Sequence, residues 1–231
     1  MIEKIKPVLQ MNFVKRAYRV KGPAMSKEFK EKMFTESVKA AQEHYGTRKA
    51  FERIAASSKN SKFEGLGDLE KDFIQSRDGF YMATVNEEGQ PYIQFRGGPT
   101  GFLKVFDDKT LGYADFQGNL QYISVGNLRQ NKRAALFLMD YAHQRRLKLL
   151  VRIEVADAAQ APELIEKLRL PDYKAKIERA MTLDVEAFDW NCPQHITPRF
   201  TIDEIRQMIQ PLYERIAELE NEIKEARREI K

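Results

Sequence analysis

Three short stretches concentrate the side chains best able to hold a polar ligand. In Gln94-Phe95-Arg96-Gly97-Gly98-Pro99, strand alternation puts Gln94 and Arg96 on one face and Phe95 on the other. An arginine at a strand end, followed by two glycines, can reach an anion while the backbone closes on it. The same residues would also serve as a hairpin turn with a solvated arginine. In Tyr113-Ala114-Asp115-Phe116-Gln117-Gly118-Asn119-Leu120-Gln121-Tyr122, a strand ends in a loop dense in hydrogen-bonding groups. Such a loop can grip the polar edge of a ligand, or simply connect a strand to a helix. The third stretch, Phe188-Asp189-Trp190-Asn191-Cys192-Pro193-Gln194-His195, holds the only tryptophan and the only cysteine. Cys192 with His195 as base would be a nucleophilic pair, but no third group is placed to orient the base. Packing and hydrogen bonding to a ligand or partner is the stronger reading of that segment.

The elements around these stretches change period along the chain. Residues 26–56 are helix-prone, with Ser26 as N-cap and Gly46 as an interruption. Asp68 caps a short helix through Phe73 and Ile74, which Gly79 ends. Strands are expected over 80–85, 91–95, 102–106, 111–114, 134–141 and 147–155, with a hairpin loop at Asn86–Gln90. Residues 161–180 return to helical spacing, and 181–188 is a last strand candidate. Short strands at this spacing imply an antiparallel barrel or sandwich. The expected organisation is an extension over 1–24, a domain over 25–200 and a helical tail over 201–231.

That tail has the clearest period of all. Ile202, Ile209, Ile216, Ile223 and Ile230 recur every seven residues, and Ile205, Leu212, Leu219 and Ala226 fill the complementary position. Isoleucine at one seam position and leucine at the other suits a parallel two-stranded coiled coil. A helix packed on its own domain would show the same stripe, and Pro211 should kink either arrangement.

Composition excludes several classes. With one cysteine there is no internal disulfide, and the three histidines lie far apart without a metal-ligand spacing. A net charge of +5 with dispersed basic residues does not make a nucleic-acid face. No run approaches the roughly 18 apolar residues of a membrane span, and the first residues lack a secretory pattern. A cytoplasmic protein is expected.

The stretches GQPYIQFRGGPTGFLKV, LGYADFQGNLQYISVGNL and FDWNCPQHITPRFT together resemble the flavin-nucleotide-binding branch of the pyridoxamine 5'-phosphate oxidase-like proteins, over roughly residues 30 to 215. The resemblance implies an α+β chain, mainly β with flanking helices, built on a six-stranded antiparallel split β-barrel with N-terminal helices and a long C-terminal helix. It also implies a homodimer with FMN near the subunit interface. Arg96 matches the arginine that meets the FMN phosphate, with Gln94 and Gly97 beside the ring or ribityl chain. Tyr113, Ala114 and Asp115 match strand-end residues that pass the flavin, and Gly118, Asn119 and Gln121 the phosphate-side loop. Trp190, Asn191, Gln194 and His195 match a late segment that closes the site from the other subunit.

The chain also departs from the family's pattern. Pyridoxamine phosphate oxidases carry Ser-Arg-Lys where this chain reads Phe116-Gln117-Gly118-Asn119. That argues against vitamin B6 oxidation while leaving FMN binding intact. The leading expectation is an FMN-dependent oxidoreductase acting on a small molecule. The alternatives are a non-catalytic flavin carrier or sensor, a scaffold with an empty pocket and, last, pyridoxamine 5'-phosphate oxidation.

Overall fold

The computed structural model describes residues 25–57, 63–190 and 194–229. The expected extension over 1–24, together with Asn191, Cys192 and Ile230, lies outside them. Three helices lead in: α1 (Lys27–Met33), α2 (Glu36–His44) and α3 (Arg48–Ser57). Ser26 caps α1 by accepting from the Phe29 amide. Helix α4 (Asp68–Gln75) follows; Gly67, not Asp68, is its N-cap, and Glu70 reaches back to the Gly67 amide at 3.0 Å. It stops at Ser76, so Gly79 opens the next strand rather than closing the helix.

The sheet elements are β1 (Gly79–Val85), β2 (Pro91–Gly97), β3 (Lys104–Val105), β4 (Thr110–Phe116), β5 (Arg133–Asp140), β6 (Arg145–Asp157) and β7 (Ile177–Trp190). Helix α5 (Ile123–Gln130) lies between β4 and β5, α6 (Pro162–Leu168) between β6 and β7, and α7 (Ile202–Glu229) forms the tail. Among the described residues the sheet thus has seven strands rather than six. The seventh is β7, a 14-residue strand that contains the last strand candidate, 181–188, and takes in residues 177–180 at the end of the stretch whose spacing suggested helix. The third strand shrinks to two residues.

All the pairings are antiparallel, in the order β2-β1-β5-β6-β7-β4-β3. Phe80 on β1 and Tyr113 on β4 are four ladder steps apart in that order, about 19 Å if the sheet were flat. Their ring centroids are 5.4 Å apart, and Phe80 stacks on Phe102 at 5.7 Å. The sheet therefore coils back on itself into a split barrel whose open edges are β2 and β3. Alternation fills the interior: Phe80 and Met82, Leu136 and Leu138, Leu147, Leu149 and Val151, and Met181 and Leu183 are all essentially inaccessible. Helix α4 closes one end with Phe73 and Ile74, and α5 covers another part with Val125 and Leu128. Helix α6 packs Ile165 and Leu168 on Ala114 and Ala180, outside β4 and β7. No helix among the described residues is long and apolar enough to cross a membrane.

Candidate anion-binding cleft on the barrel split

Alternation along β2 turns Tyr92, Gln94 and Arg96 inward and leaves Ile93 and Phe95 exposed. The inward side chains meet the loop after β4 and the start of α5, forming a small cleft of about 30 Å³, room for roughly one water. Arg96 Nη2 lies 3.3 Å from Asp115 Oδ1. With its amide oxygen turned toward the donors, Gln94 accepts from Arg96 Nη2 at 2.8 Å, Arg96 Nε at 3.2 Å and Ser124 Oγ at 2.7 Å.

Asp115 is 1% exposed, and it is fixed from its other side by Arg179, which donates from Nε at 2.8 Å. The two residues are direct cross-strand partners on β4 and β7. Just beyond, the register slips: Asp115 pairs with Arg179 but Phe116 with Ile177, so Glu178 is the extra residue of a bulge. Simple alternation would separate the side chains of Glu178 and Arg179; here they bond to each other at 2.8 Å. Glu178 also accepts from Gln117 at 3.0 Å and from the Tyr122 hydroxyl at 3.3 Å.

The loop itself is strained. Leu120 and Tyr122 have φ of 62° and 52°, in the left-handed region that non-glycine residues rarely occupy. Tyr122 is held there by Glu178 and by the Arg179 guanidinium, 4.8 Å from its ring centre. The outcome is that α5 begins at the cleft with no side-chain cap. Its first amides lack intrahelical partners, and the helix dipole adds positive potential there. Asn119 and Gln121 brace each other beside it, the Gln121 amide donating to Asn119 Oδ1 at 3.2 Å.

Of the residues expected from the sequence, Gln94, Arg96, Gly118, Asn119 and Gln121 line this cleft, and Asp115 supports it. Tyr113 lies deeper in the barrel core, where burial pushes its phenol up against the lowering influence of Arg96, so it stays protonated. Ala114 faces α6 on the outside. Gly97 leaves space for the Phe95 ring, whose nearest atom would stand 2.7 Å from an added Cβ. Trp190 is in the core, edge-on to Phe73 at 4.7 Å and donating to Glu70 at 2.7 Å. Gln194 and His195 are exposed and do not line the cleft of their own chain. The sequence reading missed Ser124 and Arg179, and gave no role to Tyr122 at the end of its second stretch. For Arg179 the missing signal was its strand, hidden by the apparent helical spacing.

The sequence model of the pyridoxamine 5'-phosphate oxidase family matches residues 66–208, which span β1 to β7 and every cleft residue. This chain belongs to the pyridoxamine 5'-phosphate oxidase family. Several solved structures are similar to it at low identity. HupZ of Group A Streptococcus is 18% identical, covering 53% of this chain and 91% of its own, with a TM-score of 0.40. A Clostridium acetobutylicum protein related to general stress protein 26 is 20% identical, covering 58% and 92%, with a TM-score of 0.40. An FMN-binding protein from Syntrophomonas wolfei is 15% identical, covering 63% and 95%, with a TM-score of 0.38. No curated protein matches the chain. Within the pyridoxamine 5'-phosphate oxidase family, this member's cleft has its two arginines on β2 and β7, and neither lies in the loop after β4.

A second, larger groove of about 260 Å³ lies outside the barrel, between β1, β5 and residues 199–204. Asp140 at its floor is 2% exposed and is bound by Arg145 at 2.8 Å and by the His143 ring at 2.9 Å.

Proposed function

We propose that this chain is an FMN-binding flavoprotein, a homodimer that acts as an oxidoreductase on a small molecule. The observation that carries the reading is the convergence of Arg96, Gln94 and Ser124 on the uncapped start of α5. A phosphate is what such a place suits, because a guanidinium and free helix amides both donate to it. Arg96 and Arg179 are balanced by Asp115 and Glu178, so the added charge of a phosphate would lean on the helix end and on Arg96 donors that turn from Gln94 to the ligand.

Family membership supports a flavin rather than another phosphate ester. The cleft of one chain is far too small for the flat ring, which would need a wall from a second copy. Exposed Tyr81, Ile93 and Phe95, on the outer face of β1 and β2, give such a contact its apolar surface. The flavin supplies the two-electron chemistry; the chain's own residues anchor the phosphate and orient the ring.

A non-catalytic flavin carrier or sensor is the second reading. What favours it is that the described residues lining the cleft include no histidine or cysteine, the side chains best suited to move a proton near neutral pH. Two measurements test the pair. Flavin absorption bands that stay with the protein after FMN loading and dialysis are expected, and their loss under all conditions would overturn the cofactor assignment. Oxidation of a reduced nicotinamide by the loaded protein favours the oxidoreductase, and its absence favours the carrier.

A further inference from the structure

We propose that α7 pairs with the same helix of a second copy of this chain as a parallel, in-register, two-stranded coiled coil. This is independent of what the cleft binds. The helix is 28 residues long and runs without interruption through Pro211. Its apolar seam is not folded back on the barrel: Ile202 is 69% exposed, Ile216 51% and Ile223 52%. A helix packed along its own domain would bury this stripe; here its described isoleucine and leucine positions are exposed except Ile209, which is half-buried.

Charge identifies the occupant. With Ile202, Ile209, Ile216 and Ile223 at position a and Ile205, Leu212, Leu219 and Ala226 at d, position g holds Met208, Arg215 and Glu222, and e holds Tyr213, Glu220 and Arg227. In a parallel pair each g residue faces the e residue five positions on in the other helix. Arg215 then meets Glu220, Glu222 meets Arg227 and Met208 meets Tyr213, and two-fold symmetry makes each pair twice. No like charges face. In a fully overlapped antiparallel pair, Arg215 would face Arg215. Isoleucine at a and leucine at d select the same parallel dimer. Within its own helix Arg215 bonds to Glu218 at 2.8 Å and approaches Glu222 at 3.4 Å, both exposed surface contacts that a partner chain can replace.

The test uses the full chain with Cys192→Ser, which removes the only native thiol. Leu212→Cys in that background should oxidise to a covalent dimer, because parallel register puts d opposite d within disulfide reach. Asn221→Cys, on the outward face, should not. Absence of the Leu212→Cys cross-link overturns the proposal. So does a cross-link formed only when Leu212→Cys is mixed with Ile216→Cys, the antiparallel signature. A second measurement follows the cross-linking equilibrium against glutathione. Arg215→Glu should lower it about tenfold by setting like charges across the seam, and adding Glu220→Arg should restore it. Residues five apart do not share a helix face, so rescue can come only from the other chain. A defect that Glu220→Arg leaves unrepaired overturns the proposal.

Discussion

Arg96 and Asp115 lie on strands five ladder steps apart, yet their side chains meet at 3.3 Å. A flat sheet would hold those strands about 24 Å apart. The contact is therefore made by the closure of the barrel, and the cleft exists only when the whole sheet has coiled. Asp115 is also the hinge of the local electrostatics, because it keeps Arg179 on β7 and Arg96 on β2 facing one point.

Asp115→Ala should accordingly be among the more damaging polar substitutions in this chain. It leaves two largely buried guanidinium groups without their shared counter-ion. Breaking a buried pair in this way costs about 3 kcal/mol or more. For a chain of this size that corresponds to a fall of roughly 6–12 °C in Tm. Thermal unfolding followed by circular dichroism checks it, and a shift within 2 °C would show that the ion pairs contribute nothing net.

Asp140 makes stability depend on acid pH. Burial works to raise its carboxyl, but hydrogen bonds from Arg145 and His143 and the charge of Arg77 together outweigh it and hold the group below its ordinary value of 3.8. Between the folded and unfolded values the unfolded chain binds more protons, so stability rises with pH there. The contribution is complete above about pH 4 and is lost as pH falls through the folded value. Urea unfolding at pH 6 and pH 3 should show Asp140→Asn less stable than the parent at pH 6, with the gap narrowing at pH 3. A gap that widens in acid would reverse the sign of this account.

Trp190 tests what the late segment does. Trp190→Phe leaves Glu70 Oε1 without its donor in a buried site, at a cost of about 1–3 kcal/mol. Its indole points into its own core, so FMN affinity should be unchanged while the urea midpoint falls. A weaker FMN complex with no loss of stability would instead favour the family-based expectation that this residue closes the flavin site.

Much of this architecture was legible from local chemistry. Ser26 capping α1, the Asn86–Gln90 hairpin and the seven-residue repeat of α7 are short-range signals, and each lies where the spacing puts it. Gln94 and Arg96 were legible for the same reason: alternation on an edge strand fixes which face they share. What failed depends on contacts far apart in sequence. Ile177–Arg179 reads as helix because its apolar spacing continues that of α6, and only the pairing of β7 with β4 and β6 makes it strand. Arg179 could not be placed beside Asp115 until that pairing and its bulge were known. Trp190 is expected near the flavin through the family resemblance alone, and its packing against Phe73 on α4, far away in the sequence, was not legible.

Equilibrium titration of FMN into the apoprotein and into Arg96→Ala, followed by flavin fluorescence, tests the central claim most directly. Losing charge-assisted hydrogen bonds to a phosphate should weaken binding roughly ten- to hundredfold. The melting temperature should hold, since Arg179 still partners Asp115. Equal affinity in the two proteins would remove the β2 cleft as the phosphate site, and an apoprotein that binds no FMN would contradict the flavoprotein assignment itself.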